Sequence, residues 1–323
     1  MLRYAFGRLL WLIPTLLVMS LIIFVIMHAT PGSPLDPMRA TANPLTPQAQ
    51  AALAAHYGLD KPLHEQYLRF LWNVIHLDFG ISYVLKDRDV STIIAGTFPI
   101  SLVLGTFALI FAAIFGLTLG IVAAMRQNTW IDYVATSLSM MAVSTPNFVI
   151  GVLLIVVVAL GLGWLPIAMT SSSLFDPWSL DYWSKNWQFW VLPTITLGLG
   201  PLATIARYTR ASMVDVIRSD FVRTARAKGL LENAVVMKHV LKNALIPVVT
   251  ILGPLFAAVG TGTFVVEFLF SVPGMGKFFV TSMLGRDYNM IMAVLLIYGF
   301  FLAIMNIAVD LVYGFLDPRI RYN

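Results

Sequence analysis

Long apolar runs alternate with more polar stretches along the chain, and six of these runs are long enough to cross a bilayer as helices. A hydrocarbon core about 30 Å thick needs about 20 mainly apolar residues per helix. The six runs are residues 9–28, 98–125, 131–160, 190–206, 244–270 and 289–316. The pattern predicts an all-α integral membrane protein with six transmembrane helices.

A cleaved signal peptide is an alternative interpretation of the first run, which follows Arg3 and Arg8. The apolar core of a signal peptide has about 7–15 residues. This run is close to a full membrane span and ends in a polar Pro-Gly-Ser-Pro turn. Its length favours an uncleaved transmembrane anchor.

The distribution of basic residues predicts how the chain is oriented. Six spans place both termini on one side of the membrane, and 13 of the 21 Lys and Arg residues fall on that side. Cytoplasmic loops carry the excess of Lys and Arg in membrane proteins. Both termini are therefore expected in the cytoplasm.

The order of these spans divides the chain into three parts. Residues 1–28 form an N-terminal tail and first transmembrane helix, 29–97 an extracytoplasmic helical segment, and 98–323 a five-helix core. Within the middle part, Thr46-Pro47 and Gly58 are typical start and stop signals of a helix. A second helix begins after Pro62. Its apolar residues predicted to share one face are Leu63, Tyr67, Leu71, Trp72 and Ile75. This segment either covers the ends of the spans or contacts substrate.

Small residues recur at every fourth position of the second span. Such a stripe lets helix backbones approach closely within a membrane. Its members are Ala108, Ala112, Gly116, Gly120 and Ala124. We interpret the stripe as a packing seam, with a subunit interface as the alternative.

The amino-acid composition limits the kinds of protein and of catalytic chemistry that the chain can represent. Of 323 residues, 59% are hydrophobic and 11% charged, with a mean hydropathy of +0.82, whereas soluble domains carry about 25% charged residues. The chain has no cysteine, and its five histidines are scattered without His-x-x-x-His spacing, so no metal site is expected. The chain also lacks a Gly-x-x-x-x-Gly-Lys-Ser/Thr phosphate loop. These features argue against a membrane-embedded enzyme and against ATP hydrolysis on this chain.

The formal charge of +5 is concentrated in one loop rather than spread as a nucleic-acid-binding surface, and no nucleic-acid partner is expected. Residues 207–242 hold eight basic and three acidic residues. Ser219 and Asp220 are good N-cap residues for a helix from Phe221 to Lys228, and Gly229 is a natural stop. A second helix then leads into the fifth span. We predict a cytoplasmic elbow, and an orientation signal that touches only anionic lipid is the alternative.

The elbow sequence resembles a known loop. Residues 220–230 (DFVRTARAKGL) and 239–250 (HVLKNALIPVVT) are similar to the loop shared by membrane subunits of bacterial ABC importers. In an alignment on Gly229, Ala225 and Leu241 match the generic Glu-Ala-Ala…Gly…Leu-Pro pattern. The departures from that pattern are Arg223, Thr224, His239 and Lys242. With them, the loop resembles the variant of peptide-importing permeases.

The resemblance extends along most of the chain, toward first-subunit (B-type) permeases of the oligopeptide, dipeptide and nickel group, and most toward oligopeptide permeases. The matching motifs are residues 31–34 (PGSP), 58–62 (GLDKP), 78–82 (DFGIS), 270–276 (FSVPGMG), 286–288 (RDY) and 317–322 (DPRIRY).

This resemblance implies a type I ABC importer permease fold with a coupling loop at residues 207–243. It also implies residues that couple to an ATPase: Phe221, Arg223, Thr224, Ala225, Arg226, Ala227, Lys228, Gly229 and Leu230. Of these, Phe221, Ala225 and Leu230 would be the contacts buried against the ATPase. The implied partners are a second homologous permease subunit, two cytoplasmic ATPases that bind ATP and Mg, an extracytoplasmic substrate-binding protein and the lipid of the bacterial inner membrane.

An outer gate is a further expectation, at Glu267, Pro273, Gly274 and Gly276. Two alternatives to peptide import remain open: the same permease role for nickel or an opine, and a proton-coupled secondary transporter. Secondary carriers place ionisable residues near the membrane midplane. The middles of the six apolar runs contain no Asp, Glu, Lys or Arg, which favours an ATP-driven permease.

Overall fold

The computed structural model describes residues 2–35, 46–85, 88–169, 175–176 and 178–316; the terminal motif at 317–322 lies outside them. Within the described part, helices dominate and an isolated bridge between Ile81 and Asp89 is the only β pairing. The helices are α1 (Leu2–Ala29), α2 (Pro47–Tyr57), α3 (Leu63–Ile75), α4 (Val90–Met125), α5 (Trp130–Ser144), α6 (Asn147–Leu154), π1 (Ile155–Gly161), α7 (Leu180–Ile217), α8 (Asp220–Ala227), α9 (Glu232–Ala234), π2 (Val235–Val240), α10 (Leu241–Leu269), α11 (Met275–Gly285) and α12 (Tyr288–Leu316).

The predicted six-span, all-α class is confirmed, with one difference in the third span. Five stretches of the described chain are long and apolar enough to cross a membrane; they lie in α1, α4, α7, α9 to α10, and α12. The pair α5 and α6–π1 supplies a sixth only as a broken span bent by 107°. The run 131–160 is therefore interrupted and does not form one continuous helix. Thr145 is extended (φ −94°, ψ 125°) because Pro146 after it disfavours helical backbone and cannot donate a hydrogen bond.

Two compact units make up the chain, and each has its own packing. One unit comprises Leu102–Ser271 and the residues from 304 onward; the other comprises Leu2–Ser101 and Val272–Ala303.

In the unit that contains Leu102–Ser271, the small-residue stripe of α4 packs against α7. A Cβ added at Gly116 would lie 2.7 Å from the Leu202 carbonyl oxygen, and one at Gly120 would lie 2.6 Å from that of Ala206. Only glycine permits this approach of the two backbones. The predicted packing seam is confirmed, and α7 also packs against α5, α6 and α10.

Helix α7 is much longer than the predicted run 190–206. It continues through Pro193 and Pro201 to Ile217, and its C-terminal turns lead directly to α8. The added length matters because α7 is the stem on which the predicted elbow is built.

The other unit confirms the predicted boundaries of α2 and α3. Thr46 accepts a hydrogen bond from the Ala49 N–H at its N-cap, Pro47 follows, and Gly58 ends α2 in the left-handed region (φ 69°). Helix α3 starts immediately after Pro62. The predicted single apolar face of α3 is wrong in part, because Leu63, Trp72 and Ile75 are exposed. The α3 residues that pack into this unit are Tyr67, Phe70, Leu71 and Val74.

Candidate functional site

The elbow helix α8 begins and ends where its sequence predicts. Ser219 is extended (φ −70°, ψ 153°), and its carbonyl accepts hydrogen bonds from the N–H groups of Val222 and Arg223, both at 3.2 Å. The Ser219 hydroxyl donates back to the Val216 carbonyl at 2.6 Å, so Ser219 occupies the N-cap position without capping the N–H groups of α8 through its side chain. Gly229 follows the helix in the left-handed region (φ 77°).

Glycine is required at position 229 because of its backbone conformation, and not because a side chain would lack space. Apart from Gly229 itself and its two chain neighbours, no described residue would have an atom within 4 Å of a Cβ added there. A left-handed φ costs an L-residue about 1–2 kcal/mol, whereas glycine adopts it freely. The turn therefore leaves room around itself for another surface.

One face of α8 is buried in its own chain. Val222 and Ala225 pack in a cluster of small and branched side chains that we call the elbow core. Its other members are Ala124, Met213, Val235, Val236, Val240 and Ala244. These residues belong to α4, α7, π2 and α10, so the elbow core fixes α8 to the stem before it and to the span after it.

This burial corrects the predicted role of Ala225. The sequence comparison implied that Ala225 contacts a partner protein, but its side chain is buried in the elbow core. Phe221 and Leu230 remain exposed, Phe221 by 46%. We call the exposed set the outer face of α8; it consists of Phe221, Arg223, Thr224, Arg226, Ala227, Lys228, Gly229 and Leu230.

An ion pair closes the turn at Gly229. The Arg226 guanidinium donates two hydrogen bonds to Glu232, Nη2 to Oε1 at 2.6 Å and Nε to Oε2 at 3.1 Å. These hydrogen bonds raise the pKa of Arg226. Both side chains are well exposed, so the pair contributes at most about 1 kcal/mol. Its main effect is to hold α8 and α9 in a fixed relation across the turn.

A buried ion pair at the stem was missed by sequence reasoning. Asp132, at the start of α5, is buried and accepts both Nε–H and Nη2–H bonds from Arg210 of α7, the latter at 2.7 Å. The Asn128 N–H also donates to Asp132 at 3.0 Å. The available signal was opposite charges at the ends of two spans that meet the same membrane face.

The four outer-gate residues are divided between the two compact units. Gly274 occupies the N-cap of α11, next to Pro273 and Gly276, and the following N–H of Met275 donates to the Ser101 hydroxyl at 2.9 Å. Glu267 lies buried in α10, in the other compact unit. The gating role of these residues stays a prediction.

The described chain thus combines membrane-spanning helices with a short amphipathic helix presented between two of them. The chain belongs to the family of binding-protein-dependent transport system inner membrane components, whose profile matches residues 116–322. The profile of the N-terminal part of such membrane components matches residues 1–105. The chain is therefore a multi-pass inner-membrane permease component.

Relatives match over essentially the whole chain. The dipeptide transport system permease protein of Bacillus subtilis is 43% identical over 321 residues, 99% of this chain and 98% of that protein. The oligopeptide permease of Haemophilus influenzae is 39% identical over 322 residues, and the glutathione permease of Salmonella paratyphi A 41% over 323; each alignment covers 100% of both chains. All three relatives are named as permease proteins of transport systems.

A solved structure shows the fold independently. The chain resembles the crystal structure of an amino acid ABC transporter with histidines at a TM-score of 0.51 and 15% identity, over 69% of this chain and 93% of that one. This likeness, together with the family match, confirms the ABC importer permease fold.

Proposed function

We propose that the chain is one of two permease subunits of an ATP-driven importer that moves oligopeptides or dipeptides into the cytoplasm, with both termini cytoplasmic. Three relatives carry dipeptide, oligopeptide or glutathione in their names, and all three cargoes are short peptides. This supports peptides over nickel or an opine as cargo.

The observation that carries the proposal is the two-sided construction of α8. Its inner face is buried in the elbow core, and its outer face carries Phe221, Leu230 and basic side chains. A short helix with apolar anchors and charged flanks is suited to a groove on a partner protein. We assign that groove to a cytoplasmic ATPase, which would hold the ATP and Mg.

The elbow core also indicates how movement would pass into the membrane. Val222 and Ala225 contact the same cluster as Met213 of α7 and Val240 of π2. When two ATPases close on ATP, each would carry its coupling helix with it, and the adjoining spans would follow as one body. Because ligands favour one of two preexisting states, such closure would switch the permease pair between outward and inward access. A related second permease subunit completes the path, and a binding protein delivers the peptide.

Copurification and uptake test this proposal. The chain is expressed with the products of its neighbouring genes, and the expected complex contains two ATPases and a second permease. In proteoliposomes, the peptide-loaded binding protein is expected to raise ATP hydrolysis, and peptide uptake is expected to require ATP. Uptake by the chain alone, driven by a proton gradient without ATP, would instead establish a secondary transporter. Nickel and an opine, offered to the same vesicles, are the cargo controls.

A further inference from the structure

Helix α3 has three distinct faces, and the first packs into its own compact unit. Phe70 is buried in a cluster with Phe24 of α1 and with Met292 and Leu296 of α12. Tyr67, Leu71 and Val74 pack against the same cluster. At 3.6 residues per turn these four α3 side chains share one stripe, so this stripe is the core face of α3.

The contacts of Tyr67 show at which level of α1 helix α3 packs, and therefore how deep in the membrane α3 lies. Its hydroxyl is 2.9 Å from the Ser20 hydroxyl and donates to the Leu17 carbonyl at 3.3 Å. Leu17 and Ser20 flank the midpoint of the apolar run that begins after Arg8 and ends before His28. Ser20 is about 12 Å from His28 along the axis at 1.5 Å per residue. Half of a hydrocarbon core is about 15 Å.

Helix α12 gives a consistent range of depths, because its members of the cluster run from Tyr288, at the start of the span, to Leu296. Leu296, in the cluster with Phe70, is eight residues into a span that begins at Tyr288. This is again about 12 Å from the end of the span. The core face of α3 therefore lies at the level of acyl chains, in the leaflet at the C-terminal end of α1.

The second face of α3 is apolar and exposed. Leu68 is 62% exposed, Trp72 66% and Ile75 74%. Trp72 lies about 150° around the helix axis from the centre of the core face at 100° per residue, so this face points away from the protein. Helix α1 likewise exposes apolar side chains along the same half of its length; they are Ile22, Val25 and Ile26.

The third face of α3 is polar, and its side chains line a cavity. Gln66, Arg69 and Asn73 line an open cavity of about 300 Å³, together with Asp78 and Asp89. Polar side chains at membrane depth are normally turned toward protein or a water-filled cavity. The cavity thus separates the polar face of α3 from the lipid.

We propose that α3 is embedded in one leaflet of the membrane and that Leu68, Trp72 and Ile75 contact lipid acyl chains. In the orientation proposed above this is the outer leaflet. Residues 29–97 then form a segment that is extracytoplasmic only in part. The proposal needs α1 to cross the membrane and is independent of the cargo and of the ATPase.

Single cysteines test the proposal, since the chain has none of its own. Leu68→Cys and Ile75→Cys are compared with Arg69→Cys on the cavity-lining polar face of the same helix, with a water-soluble maleimide on both sides of the vesicles. Each unit by which apolar surroundings raise a thiol's pKa lowers its reactive thiolate about tenfold. We expect labelling at 68 and 75 to be at least about tenfold slower than at 69, in the chain alone and in the full transporter. Complete labelling after denaturation controls for the presence of the thiol.

Two results would overturn the proposal. Equal labelling at all three positions would place α3 in water. Protection at 68 and 75 that appears only when a partner protein is added would make this face a protein interface. A second measurement uses Trp72 as the probe: lipids brominated along their acyl chains are expected to quench the fluorescence that Trp72→Phe removes, and absence of such quenching would exclude acyl contact.

Discussion

Phe221 offers the sharpest quantitative test of α8 as a docking helix. Its side chain is 46% exposed, so about 90 Å² of a phenylalanine surface of about 200 Å² is available to a partner. At about 25 cal/mol per Å², burial of this area contributes about 2 kcal/mol. Phe221→Ala is therefore expected to weaken binding of the ATPase by about 30-fold, since 1.4 kcal/mol corresponds to a tenfold change.

The assay is titration of the purified ATPase onto the full chain in nanodiscs, read by interferometry. Phe6→Ala is the matched control, because Phe6 is also exposed but lies in α1. Phe6→Ala is expected to leave the affinity unchanged. Thermal stability should be unaffected in both variants. Binding by Phe221→Ala that equals the wild type, with the helix intact, would refute the docking role of this face.

Three further substitutions probe the elbow and its stem. Val222→Ala removes two buried methyl groups and should destabilise the elbow core by about 2 kcal/mol. We expect faster amide hydrogen exchange in α8. Unchanged exchange would contradict the packing of Val222 in the elbow core. Gly229→Ala should destabilise the turn by about 1 kcal/mol, because alanine disfavours the left-handed φ, and should lower the transport rate. Gly229→Asn should transport at a rate closer to wild type. Equal transport rates of the wild type and both variants would contradict the requirement for glycine at this turn. Asp132→Asn should lower the free energy of unfolding by about 3 kcal/mol, because the Arg210 charge is left without its partner; a lower melting temperature measures this loss. The double variant Asp132→Arg with Arg210→Asp should recover part of the lost stability.

The ends of α2 and α8 were predicted correctly because the residues that start and stop a helix act on main chain only a few residues away. Thr46-Pro47 and Gly58 bound α2, and Ser219 and Gly229 bound α8, through main-chain geometry that neighbouring residues determine. The stripe of small residues in α4 was also informative, since close helix approach leaves few alternatives for such a pattern.

Contacts between distant segments were not predictable in the same way. Asp132 and Arg210 are 78 residues apart, and their pairing depends on how α5 packs against α7. Ala225 and Phe221 are both apolar residues of one short helix, so their sequence does not tell which side faces the chain and which faces a partner. The bend at Pro146 was missed even though residues 144–147 (STPN) interrupt the apolar run there, because a proline within a membrane helix does not by itself predict a break.

The most direct test of the central claim is site-specific crosslinking from α8 in the assembled transporter. Because the chain has no cysteine, a photoreactive maleimide can be attached at Thr224→Cys, on the exposed outer face, or at Ala225→Cys, in the elbow core. We predict that irradiation captures an ATPase subunit from position 224, and little or none from position 225. Equal capture from both positions, or none from 224 in a complex that hydrolyses ATP and imports peptide, would contradict coupling through this helix.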